Sequence, residues 1–73
     1  MKLSNSVKLK LNSLKKIAEN LRQKGYNVSN IETELNMAED NISKGLKDTA
    51  KNHLRRARGY YNLIKVKENL EKF

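Results

Sequence analysis

The chain has no cysteine, no proline and no tryptophan, only one histidine, and three glycines in 73 residues. Each shortage excludes something. Without cysteine there is no disulfide to staple so small a domain and no thiolate for a metal or redox site, and a single histidine, His53, cannot assemble a zinc site by itself. Without proline no helix need be broken from within. No apolar run approaches the about 18 residues of a membrane span, and MKLSNSVKLKLNSLKK at the N-terminus interrupts its apolar residues with lysine too often for a signal peptide. A single cytoplasmic domain over residues 1–73, with no membrane partner, is the expectation. At this length it lies near the lower limit for a core that holds itself together.

Positive charge is abundant and unevenly placed. The formal net charge is +8, from 16 Lys and Arg against eight Asp and Glu. Residues 1–27 contribute +6, residues 28–45 contribute −3 and residues 46–73 contribute +5. An acidic segment between two basic ones suits a self-complementary bundle, and the basic excess suits a polyanionic partner. The frequent Asn and Lys also accord with an AT-rich coding sequence, which would leave part of the charge without functional meaning.

Apolar residues recur at helical spacing between the glycines. Val7, Leu11, Leu14, Ala18 and Leu21 alternate steps of four and three, with Leu3 and Ile17 alongside; Ile31, Leu35, Ala38 and Ile42 repeat the pattern; so do Ala50, Leu54, Ala57, Tyr61 and Ile64. Gly25, after Arg22 and Lys24, reads as the stop of a first helix, and Lys44-Gly45-Leu46 as a Schellman-type end of a second. Ser29 and Glu32 have the spacing of a capping box with Val28 as its staple, so a second helix should start near Asn30. Asp40 and Lys44 form a favourably ordered pair one turn apart. The predicted fold is all-α, an antiparallel three-helix bundle with helices at about 4–24, 30–44 and 47–71. Gly59 weakens the third by about 1 kcal/mol relative to Ala, leaving open a bend or break there.

KGYNVSN, residues 24–30, has the look of the turn in a helix-turn-helix. The following helix, however, presents Glu32, Glu34, Glu39 and Asp40, which phosphates would repel, where a recognition helix would offer Arg, Lys or Asn to bases. The segment therefore reads as a corner between packed helices, with Tyr26 and Val28 folding over the end of the core. The run GYNVSNIETELNMAEDNISKG, with Ala50, Leu54, Ala57 and Arg58, resembles tetratricopeptide-like helical-hairpin segments of archaeal and bacterial proteins. The resemblance spans about residues 25–58 and implies antiparallel helices but no activity or ligand. One hairpin is too short to be a repeat array.

No phosphate-binding glycine loop, carboxylate pair or nucleophile with a base is evident, so an enzyme and a cofactor are not expected. Two non-enzymatic functions stand. In the first, Lys47, Lys51, Arg55, Arg58 and Lys65, within one sector of the third helix, bind the backbone of DNA or RNA without sequence preference, with Tyr60 free to stack on bases because Tyr61 belongs to the core stripe. The alternative for those cations is a solvated face. On the first helix, Lys8, Lys15 and Arg22 recur every seven residues and either pair with acids of the second helix or bind a partner. In the second, the chain is a structural or protein-interaction module, natural or engineered. It would self-associate or hold a partner helix through Leu63, Val66, Leu70 and Phe73, a second apolar stripe on the outer side of the third helix. That stripe is exposed if the helix is continuous and covered if the chain folds back at Gly59. His53 reads as a residue at the margin of the core.

Overall fold

A computed structural model describes the backbone of residues 3–71 and the side chains of residues 6–69. It contains three helices, α1 (Leu3–Gln23), α2 (Ser29–Ser43) and α3 (Lys47–Glu71), packed as an all-α bundle. Each boundary lies within one residue of the sequence expectation. Consecutive helices run antiparallel, as the ladder of contacts between α1 and α2 requires: Lys15 meets Glu39 and Arg22 meets Glu32, one partner advancing as the other retreats.

Both corners end their helix in the same way. At Gly25 (φ +95°) the Tyr26 N–H donates to the Leu21 carbonyl and the Gly25 N–H to that of Arg22; at Gly45 (φ +78°) Leu46 reaches Asn41 and Gly45 reaches Ile42. These are the paired bonds of a Schellman motif, which need a left-handed residue that glycine supplies without strain. Tyr26 and Val28 then pack against the core, as a corner rather than a recognition turn demands.

The capping box does not form. The α2 helix already includes Ser29, which puts Val28, the expected staple, at the cap position with no side-chain cap bond; Asn27 Oδ1, one residue earlier, accepts from the Ser29 N–H at 3.0 Å and the Ser29 hydroxyl at 2.6 Å. The Ser29 hydroxyl is thus committed backwards to Asn27, and Glu32 lies 3.6 Å from Arg22 of α1 instead of reaching back along its own helix. Nor does the chain break at Gly59. The α3 helix is unbroken across it, because a cost near 1 kcal/mol is small beside the packing of Ala57, Tyr61 and Ile64 on either side.

The three stripes meet as expected in one core, from Val7, Leu11, Leu14, Ala18 and Leu21 of α1, Ile31, Leu35 and Ala38 of α2, and Ala50, Leu54 and Ala57 of α3, closed by Val28. Leu3 lies outside the described side chains. Residue size within this core sets the spacing of the helices. Ala38, Ala50 and Ala57 are completely buried, so α2 and α3 approach most closely, whereas α1 enters the core mainly with Leu and Val and stands farther off. Interaxial distance follows the side chains at the contact. A seam therefore opens on each side of α1.

Candidate nucleic-acid interface

The two seams differ in charge. Between α1 and α2 is a groove of about 390 Å³ whose lining combines Lys15 with Glu19 and Glu32 over Ala18 and Leu35. Here cation meets anion: Lys15 Nζ donates to Glu39 Oε2 at 2.9 Å, and Arg22 lies 3.6 Å from Glu32 and 3.9 Å from Glu19. Pairing with α2 acids is thus the arrangement found for Lys15 and Arg22. The expected Asp40–Lys44 pair is present at 3.0 Å.

Between α1 and α3 lies a larger groove, of about 520 Å³. Leu14 and Leu54 form its floor with half-buried Ile17, and Leu9, 66% exposed, forms part of one wall. Lys51, Arg55 and Arg58 of α3 stand on one side and Lys10 of α1 on the other, with the hydroxyls of Ser6 and Ser13 between. Among the described residues no carboxylate lines it. The ion pairs of the described residues engage Lys15, Arg22 and Lys44, and neither they nor the His53–Glu34 contact involve Lys10, Lys47, Lys51, Arg55 or Arg58. The groove thus has an apolar bottom between uncompensated cations.

Ile17 also borders a smaller crevice farther along the same seam, where Lys24 of α1 faces Tyr61 and Lys65 of α3, with Glu68 at the end. Lys65 Nζ sits 5.8 Å from the centre of the Tyr61 ring, within cation–π range. Lys51, Arg55, Arg58 and Lys65 therefore share one seam. Lys47 is exposed at the start of α3 and lines neither crevice.

Tyr60 is not brought together with these cations. It is exposed, but two residues beyond Arg58 puts it on another side of the helix, and it lines neither crevice. Tyr61, expected only as core, is half-buried against the core and lines the crevice beside Lys65. The contribution of α1 lies outside the sequence expectation. Its signal is Ser6, Lys10, Ser13 and Ile17, which step by four, three and four next to the core stripe.

His53 has a specific partner. Its Nδ1 is 2.7 Å from Glu34 Oε1, both side chains being largely buried at the margin of the core between α2 and α3. The pair ties the two closest helices together. Of the outer apolar stripe, Leu63 is 67% and Val66 57% exposed on the unbroken α3. Leu70 lies in the helix, but its side chain falls outside the described residues, as does Phe73. No helix among the described residues is long and apolar enough to cross a membrane. No family model, curated protein or solved structure matches the chain.

Proposed function

We propose that this protein is a small cytoplasmic, non-enzymatic module that binds the phosphate backbone of nucleic acid without strong sequence preference, through the cationic face of α3. One observation carries the reading: Lys51, Arg55 and Arg58 line a groove where no carboxylate of the described residues stands, while the acids of α2 are engaged elsewhere, Glu32, Glu39 and Asp40 with Arg22, Lys15 and Lys44, and Glu34 with His53. Cations left without internal partners retain their full attraction for an external anion, and neutralised phosphates release counterions, which drives binding. Successive cations at 51, 55 and 58 advance by about 6 and 4.5 Å along the helix, so the unbroken α3 can meet a backbone at several points.

The test is fluorescence anisotropy with labelled DNA and RNA across a salt series. The protein is compared with the triple variant Lys51→Glu, Arg55→Glu, Arg58→Glu and with a control of equal charge change outside the groove, Lys16→Glu, Arg56→Glu, Lys67→Glu. The reading expects the groove variant to lose binding and the control to keep most of it. Equal loss in both would mean that diffuse net charge, not this face, attracts the polyanion, and the reading would fail.

Leu63 and Val66 support a second reading, self-association or capture of a partner helix on the outer face of α3. Leu63→Lys with Leu70→Lys should then lower the mass measured by light scattering. A chain that is monomeric with or without the substitutions would remove the motive for it.

A further inference from the structure

Resting on the nucleic-acid reading, we infer that the ligand of the α1/α3 seam is single-stranded, and that α1 and Tyr61 complete its site. A duplex offers a stiff convex rail of phosphates and keeps its base faces stacked inside. It could use the cations of this seam but not its apolar floor. A single strand presents both chemistries at once, a charged backbone and exposed base faces, and binding sites for it combine a cationic track with surfaces on which bases lie.

The seam supplies both. Lys10 faces Lys51, Arg55 and Arg58 across Leu14, Ile17 and Leu54. Farther on, Tyr61 offers an aromatic ring beside Lys65. Ile17 borders both crevices, so the two are stations on one path. From Lys51 to Lys65 that path is about 21 Å long at 1.5 Å per residue, enough for a site of about four nucleotides, the low end for single-strand binders. Glu68, the carboxylate at its far end, limits the track in that direction.

Anisotropy with an oligothymidylate of about twelve nucleotides and a duplex of equal length tests this, using wild type, Leu9→Ser, Lys10→Ala and Tyr61→Leu. Circular dichroism checks each fold; Leu9 and Lys10 are exposed, so their variants remain informative if Tyr61→Leu destabilises the bundle. Single-strand binding should be the tighter, should weaken roughly tenfold in Tyr61→Leu, as loss of one stacked base predicts, and should weaken severalfold in Leu9→Ser with its salt dependence unchanged. Lys10→Ala should reduce the log-log salt slope by about 0.7 on the single strand. If duplex binds as well or better and Leu9→Ser and Lys10→Ala are silent, the single-strand inference is wrong while the backbone reading survives. If neither nucleic acid binds near physiological salt, both are wrong.

Discussion

The two seams flanking α1 are built from the same helix and have opposite characters. Toward α2, Lys15 and Arg22 are answered by Glu39 and Glu32. Toward α3, Lys10 is answered by more cations. Charge on the first side closes the bundle upon itself, and charge on the second is directed outward. Net charge alone would not distinguish these sides, because what matters for an external anion is which cations already have partners.

Reversing the sign of the second seam should have the largest effect. Lys51→Glu, Arg55→Glu, Arg58→Glu is expected to weaken binding at least 100-fold, about 2.8 kcal/mol, by anisotropy, with helix content unchanged by circular dichroism. Next comes the cause of the asymmetry, the close approach of α2 and α3. Ala50→Leu puts a large side chain where the structure leaves no exposed surface and should cost about 2 kcal/mol in urea unfolding, as overpacking does. The His53–Glu34 pair guards the same contact. Glu34→Ala should cost roughly 1.5 kcal/mol, since the partly buried His53 ring loses its partner, and a double-mutant cycle with His53→Ala should show that the cost is shared.

Glycines sharpen the contrast between corner and helix. Gly25→Ala must hold a left-handed backbone and should destabilise by about 1 kcal/mol. At Gly59 the backbone is helical and an added Cβ meets nothing within 4 Å, so Gly59→Ala should stabilise by about 0.5–1 kcal/mol. Opposite signs from one substitution, read by thermal melts, would support an α3 that runs unbroken through Gly59. The smallest effect belongs to the first seam: Lys15→Ala removes an exposed pair and should change stability by less than about 0.5 kcal/mol, with little effect on binding.

The fold was legible because its signals are local and agree with one another. Steps of four and three locate the helices within a residue, and Gly25 and Gly45 stop them. The cap failed as an expectation because Asn27 and Ser29 both carry groups able to bond the same turn, and Asn27 reaches the Ser29 N–H. Half of the candidate site was legible too, since Lys51, Arg55 and Arg58 share one helix face. The other half depends on which helices stand apart. That follows from the fully buried alanines of α2 and α3, which let those two helices approach and leave Lys10 in the same groove as Arg55 across 45 positions of sequence. Tyr61 reads as core in the sequence because its stripe position is a core position; only the seam beside it gives its ring a second surface.

The most direct test of the distinction between the seams is a titration of the protein with short oligothymidylate, followed by backbone amide chemical shifts. That distinction predicts perturbations concentrated in α1 around Lys10, Ser13 and Ile17 and in α3 from Lys51 to Lys65, with Glu32, Asn36 and Glu39 of α2 unmoved. Shifts spread evenly over the exposed lysines, or centred on the α1/α2 seam, would contradict it.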